Sequence, residues 1–348
     1  MIKYLGSKRV LLPQILRCVA AVRPDGSVID MFSGTSRVGH ALKRAGYRVI
    51  ANDHNAYAHT LAQCYVCADA ERVREQASRH IAWLAALPGA AGYFTETFCE
   101  RSRYLHPKNG ARVDAIREAI AGLDLDPELE AVLLVSLMEA ADRVDSTTGV
   151  QMAYLKQWAP RALRDIELRV PELLPQARSG KGEAHALDAL EAAARLSGDV
   201  CYLDPPYNQH KYLGNYHVWE SLVRWDKPEV FGVACKRVDV RERRSVFNSK
   251  RSAKDALAAL VSAVDASALV VSFSDEGYIT REQIEALLAS RGEVFVFDHA
   301  MRRYVGAQIG IHNPSGQKVG KVSHLRNTEH LFVVSRDPRV LDRVRSAE

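Results

Sequence analysis

SVIDMFSGTSRVGHALKRAGYRVIAND, residues 27–53, is the stretch whose reading decides the fold. Its first six residues, SVIDMF (27–32), form an apolar run typical of a buried strand, and the turn after it at 33–36 contains Gly34. A helical pattern follows over about 37–45 and stops at Gly46, a common residue just past a helix end. YRVIAN (47–52) reads as a second strand closed by Asp53, and a further helix is expected over 55–68. Strand, helix, strand, helix in this order predicts an α/β fold, a parallel sheet with helices packed on it.

The pattern breaks at residue 69 and resumes near 183. Between them Ala, Leu, Arg and Glu dominate, with Pro and Gly as punctuation, and 129–144 reads as an amphipathic helix. The segment 69–182 is therefore expected to be a mostly helical insertion, closed by the turn-like RSGKG at 178–182. The sheet signal returns at DVCYLD (199–204), ALVVSF (268–273), EVFVFD (293–298) and HLFVVS (330–335), with a helix over 280–290. The Gly-rich polar stretch 306–321 reads as a mobile loop.

A chain of 348 residues is too long for one small domain, so one large domain with an insertion, or two domains, is expected. No apolar run reaches the ~18 residues of a membrane span, and the N-terminus lacks the apolar core of a secretory signal. Cys64 and Cys67 are close in sequence but have no second pair at metal-site spacing, so buried thiols are expected and no metal. Scattered cysteines with no disulfide framework fit the cytoplasm. Residues 236–254 hold eight basic and two acidic side chains, which leaves a net of −1 for the rest of a chain whose total is +5. Such a patch suits a polyanion, with a solvated loop as the plain alternative.

The sharpest local signal is Asp204-Pro205-Pro206-Tyr207, directly after an apolar strand. Two prolines end the strand, fix φ and remove two N–H donors. A carboxylate, rigid carbonyls and an aromatic face are thereby held at the carboxyl end of a strand, where open α/β sheets bind ligands. This suits methyl transfer to an exocyclic amine. The lone pair of such an amine is delocalised into its ring, and an acceptor on each N–H returns density to nitrogen. Asp204 and the Pro205 carbonyl are candidates for those acceptors, and Tyr207 for stacking on the base, a contact worth about 1–3 kcal/mol. The second signal is the Gly34 turn with Asp53 roughly 20 residues beyond it, a spacing that suits the ribose of an adenosine-containing cofactor. Asp53 or Asn55 could equally cap the next helix.

Together these residues resemble the Dam-like D12 class of DNA adenine-N6 methyltransferases, with motifs in order along nearly the whole chain. Tyr4-Leu5-Gly6-Ser7-Lys8 is similar to the motif that holds the amino-acid end of the cofactor, and Asp30 with Phe32, Ser33, Gly34 and Thr35 to the glycine motif. Asn52-Asp53 resembles the ribose-binding pair, and His185-Ala186-Leu187-Asp188 the motif whose acid meets the cofactor's adenine. Asp204 to Tyr207 matches the catalytic motif, with Asp204 also beside the cofactor; 271–274 and 327–331 resemble later sheet motifs. Ser36 departs from the family, which often has a second glycine there.

The resemblance implies a Rossmann-like class I methyltransferase sheet built from 1–68 and 183–348, with 69–182 as the target-recognition domain. It implies S-adenosylmethionine as cofactor and site-specific methylation of adenine N6 in double-stranded DNA by base flipping. An RNA adenine or a protein amide as acceptor is the alternative, favoured less because the tetrad begins with Asp rather than Asn. A monomer working at the nucleoid is expected, either beside a cognate restriction endonuclease or as an orphan. Candidate DNA contacts are Arg101, Arg103, Lys108, Asn109 and Arg112 in the insertion and Asn215, Tyr216 and His217 after the tetrad. The basic run adds Arg243, Arg244, Lys250 and Arg251.

Overall fold

The structure is a computed structural model that describes residues 1–302 and 326–346. Its strands, in chain order, are β1 (Ser27–Asp30), β2 (Arg48–Asn52), β3 (Glu183–His185), β4 (Ser197–Leu203), β5 (Val230–Phe231), β6 (Lys236–Arg237), β7 (Asp265–Ser274), β8 (Glu293–Arg302) and β9 (Arg326–Ser335). Seven of them form one sheet in the order β3-β2-β1-β4-β7-β9-β8, and β5 and β6 pair separately. Neighbours from β3 to β7 run parallel, whereas β9 is antiparallel to both β7 and β8. This is the mostly parallel methyltransferase sheet that the sequence predicts.

The sheet is buried on both faces, so alternate residues enter different cores. Val28, Val49, Val200 and Val270 pack with helices Leu12–Val22, Arg37–Arg44 and Pro338–Arg345. Ile29, Ile50, Cys201 and Leu269 pack with helices Ala189–Arg195, Ala253–Ala263 and Arg281–Leu288. The last of these begins with a capping box in which Thr280 and Gln283 satisfy each other's backbone N–H. No helix among the described residues is long and apolar enough to cross a membrane.

A third core is helical. It joins Val73 and Leu84 of helix Ala70–Ala86, Val113 and Ile116 of Pro107–Ala121, and most of helix Pro127–Arg143. Tyr57 and Leu61 of Ala56–Ala62 and Trp219 and Leu222 of His217–Arg224 belong to the same core. Elements on both sides of the insertion thus share its interior.

Three local expectations need correction. Helix Pro127–Arg143 is not amphipathic: the six consecutive residues from Leu133 to Met138 are all buried. It is enclosed by the helices around it, so its central turns are buried on every side. The insertion is helical through Arg143 but largely irregular from 144 to 182, with one short 3-10 turn at Pro160–Leu163. Pro171 and Pro175 and the glycines at 149, 180 and 182 interrupt any helix there. The helix expected over 55–68 is α-helical at Ala56–Ala62 and continues as a π-helical turn at Gln63–Cys67. Strand β3 and the β5–β6 pair were not anticipated. The loop expected at 306–321 lies outside the described residues.

Candidate active site

The strand order reverses between β1 and β4: the chain runs from β1 out to β2 and β3, then returns to β4 on the other side. Ligands of open α/β sheets bind in the crevice outside such a switch point. Here it is flanked by the turn after Asp30 and the tetrad after Leu203, with Asp30 directly beside Tyr202.

The glycine turn is held by hydrogen bonds. Ser33 N–H donates to the Asn52 carbonyl at 2.9 Å, and Ser36 N–H to the Ser33 carbonyl at 2.6 Å. Asp53 braces it from the next strand, accepting Gly34 N–H at 3.1 Å and, on its other oxygen, Asn55 N–H at 2.9 Å. Gly34 has φ +49°, and a Cβ there would lie 3.3 Å from the Tyr4 ring. Ser36, where the family often has glycine, also sits in the left-handed region at φ 56°, a strain of order 1 kcal/mol held by the turn around it.

The N-terminal motif lies across this crevice. Tyr4 stacks on the rings of both Tyr212 and Tyr216, at 5.2 and 4.6 Å, and Leu5 N–H donates to the Tyr216 hydroxyl at 2.6 Å. Lys8 is buried, its ammonium 3.1 Å from Asp204 Oδ1 and 3.3 Å from Glu329 Oε2. Burial works against that charge, but the two carboxylates prevail and hold the Lys8 pKa above its ordinary value. Burial pushes the Asp204 carboxyl up to about 6, with Lys8 opposing and Glu329 reinforcing the rise. Asp30 is pushed up to about 7, first by burial and then by Asp204, against the stabilising Gly39 N–H at 3.1 Å.

Three adjoining cavities meet here. The first, of about 820 Å³, is lined by Phe32, Asp53, Leu187, Asp188, Pro206, Tyr212 and Phe247. A second, of about 340 Å³, is lined by Ser7, Lys8, Asp30, Ser33, Gly34, Thr35 and Asp204. The third, of about 860 Å³, holds Lys8, Tyr207, Asn208, His210, Glu276 and Glu329. Asp204 borders the first two, and Tyr4 and Gly6 border all three. Tyr207 packs its ring on Phe273 at 5.5 Å, and its carbonyl accepts Tyr278 N–H at 2.8 Å.

All residues expected to hold a cofactor thus line one connected crevice. A family model described as D12 class N6 adenine-specific DNA methyltransferase matches residues 4–286. The chain belongs to that family. Among its relatives, type II methyltransferase M.FokI of Planomicrobium okeanokoites is 30% identical over 83% of this chain and 47% of its own length. Modification methylase StsI of Streptococcus sanguinis is 29% identical over 82% of this chain and 46% of its own length. The chain spans about half the length of these two relatives. Type II methyltransferase M.NlaIII of Neisseria lactamica is 29% identical over 86% of this chain and 92% of its own length.

In this D12-family chain the residues expected to touch DNA divide. Four point inward. Asn109 is buried, donating to the carbonyls of Ala162 and Arg164 and accepting Ile166 N–H, so it clips the irregular segment to its helix. Asn215, Tyr216 and His217 are also buried. Tyr216 stacks on Tyr4, and His217 meets the Gln151 carbonyl at 2.9 Å, burial driving its pKa down to about 3. Lys211 and Tyr212, a few residues earlier, line the first cavity instead.

Arg243 is half-buried on the wall of that cavity. It donates to buried Glu220 at 2.7 Å and to the His54 carbonyl at 3.0 Å, which makes it a brace rather than a free phosphate ligand. Arg103 lies over the Trp158 ring and donates to the Lys156 carbonyl. Lys108 pairs with Asp165, and Arg112 donates to the Ala85 carbonyl. Arg101, Arg244, Lys250 and Arg251 are exposed. Phe247 was missed: it meets Phe32 edge-on at 5.2 Å across the first cavity. Its only sequence signal is an aromatic inside the basic run.

Proposed function

We propose that this chain transfers the methyl group of S-adenosylmethionine to the N6 amine of adenine in double-stranded DNA, at a specific sequence and on a flipped base. The observation that carries this reading is the placement of Asp204. Just after β4 it borders the first two cavities, and its Oδ1 is held by the Lys8 ammonium, which also lines the third cavity with Tyr207.

The residues present fit the cofactor. S-adenosylmethionine would supply an electrophilic methyl on a sulfonium, together with a zwitterionic amino-acid end. In the small cavity Asp30 and Asp204 suit the ammonium of that end and Lys8 and Arg37 its carboxylate, and Ser33 and Thr35 add polar groups. Asp53 would accept from the ribose hydroxyls and Asp188 from the adenine amine, with Phe32, Leu187 and Phe247 as apolar walls. Asp188 already caps helix Ala189–Arg195 through Leu190 N–H, which fixes its side chain at the rim.

Asp204 is largely a carboxylate at neutral pH, and its second oxygen can accept one N–H of the target amine. The Pro205 carbonyl would accept the other. These contacts return density to nitrogen where the transition state needs it. A paired adenine cannot reach this crevice, so the base must leave the stack, at a cost of a few kcal/mol. The third cavity would receive it, with Tyr207 offering a stacking face.

We assign target recognition to 69–182 and phosphate binding to Arg101, Arg244, Lys250 and Arg251. Replacing Arg244, Lys250 and Arg251 with Ala is expected to weaken binding to all DNA sequences alike. The slope of log K against log[salt] should also become shallower by about 0.9 for each phosphate no longer neutralised. Titrations of duplex binding at several salt concentrations measure this, and an unchanged slope would remove these residues from the interface.

The relatives named as type II methyltransferases support a role in restriction–modification; work as a monomer at the nucleoid beside a cognate endonuclease is part of the same proposal. The test is expression in a host that lacks adenine methylation, followed by sequencing that detects modified bases. N6-methyladenine at one recurring sequence is expected. Unmodified genomic DNA, with active protein present, would overturn the reading.

A further inference from the structure

The segment Asn327-Thr328-Glu329-His330-Leu331 lies in the N-terminal half of β9. Strand β9 runs antiparallel to its neighbours, so its N-terminal half lies where the parallel strands end: Glu329 pairs in register with Ser274, the last residue of β7. A buried carboxylate is thereby brought to the switch-point crevice from a strand more than a hundred residues beyond the tetrad. It stands 3.3 Å from the Lys8 ammonium, whose other partner is Asp204 at 3.1 Å.

We infer that Glu329 is a positioning residue for methyl transfer: by sharing the Lys8 ammonium, it keeps Asp204 an oriented and strong hydrogen-bond acceptor for the amine. This rests on the function proposed above. One ammonium between two carboxylates orients Asp204 without fully neutralising it. With Glu329 absent, Lys8 would pair with Asp204 alone, and the oxygen left for the amine would carry less negative charge. With Lys8 absent, Asp204 would lose its orienting partner and face Glu329 directly. The two losses therefore act on Asp204 in opposite directions.

The other titratable groups facing Asp204 do not supply this balance. Asp30 on β1 is a further acid. Tyr202, Tyr207 and Tyr212 are phenols whose burial drives their pKa values above the ordinary range, so they are neutral when the enzyme works. Burial raises the Asp204 pKa most, and of the charged neighbours Lys8 lowers it and Glu329 raises it, the directions that the geometry implies.

The experiment compares wild type with Glu329→Gln, Glu329→Asp and Lys8→Met. Two readouts are used: the acid limb of kcat/KM for S-adenosylmethionine, and the carboxyl titration of Asp204 by carbon-13 NMR in the cofactor-free chain, assigned with Asp204→Asn. Glu329→Gln is expected to move limb and midpoint to lower pH by about half a unit or more, and to cut kcat roughly tenfold. Lys8→Met is expected to move both upward. Should Glu329→Gln not fold, Glu329→Asp carries the test, since withdrawing the carboxylate by one methylene shifts the midpoint the same way by less. A folded Glu329 variant whose midpoint stays at the wild-type value would overturn the inference and leave Glu329 as a counter-charge that only stabilises the fold. Loss of all DNA methylation in wild type, with the midpoint shifts intact, would instead strike the proposed function and spare the linkage.

Discussion

Replacing Asp204 with Ala is expected to lower turnover by about three orders of magnitude while leaving the Kd for S-adenosylmethionine within about fivefold of wild type. The asymmetry follows from where the side chain sits. It borders the two cavities proposed for the cofactor, but its proposed task is to accept the target amine on the oxygen that Lys8 leaves free. On the proposed assignment the adenosine end would be held by Asp53, Asp188, Phe32 and Phe247. The target amine has only the tetrad. Single-turnover rates with radiolabelled cofactor, set beside calorimetric titrations of the same variant, separate the two effects. Lys8 keeps Glu329 as a partner in the variant, so the buried ammonium is not left alone. Near wild-type turnover would mean that Asp204 is not the acceptor.

Asp53→Ala is expected to do the reverse, weakening cofactor binding by about 1–3 kcal/mol, the scale of a charged hydrogen bond left unmade. That is a rise in Kd of about 5- to 150-fold, with kcat at saturating cofactor within a few-fold of wild type. Two contributions add. The ribose would lose its acceptor, and the glycine turn would lose the brace on Gly34 N–H. Asp53→Asn, which keeps one acceptor oxygen, is expected to fall between Ala and wild type. An unchanged Kd for Asp53→Ala would confine Asp53 to holding the turn together.

The sequence was most legible where chemistry and local geometry coincide. The strand ends at Asp30, Asp53 and Asp204 could be read from apolar runs broken by Gly, Asp or Pro, and the structure brings all three to one crevice. The stretch after the tetrad was legible only in part. Lys211, Tyr212, Tyr216 and His217 have similar polarity, and composition does not say which of them the turn at Tyr212–Asn215 and the helix after it direct inward. Helix Pro127–Arg143 was misread for a related reason. An amphipathic helix was expected, but Ser136 donates to the Arg169 carbonyl inside the core and Asp142 accepts Lys3 N–H.

Residues delivered by remote segments left almost no local trace. Arg243 and Phe247 fold back over the cofactor cavity from the basic run, where their surroundings advertised phosphate binding. Glu329 reaches Lys8 only because β9 is inserted antiparallel, and strand direction cannot be read from an apolar run.

Methyl transfer to adenine N6 in duplex DNA is tested most directly by incubating the purified chain with S-adenosylmethionine carrying a deuterated methyl group. Duplex DNA of mixed sequence, structured RNA and a protein extract are the competing acceptors, and mass spectrometry of the digested products locates the label. Labelled N6-methyl-2′-deoxyadenosine from the DNA, and from nothing else, is the predicted result, with the Asp204→Ala protein giving none. Label in RNA adenosine, in cytosine or in protein amides, or equal label from the Asp204→Ala protein, would contradict it.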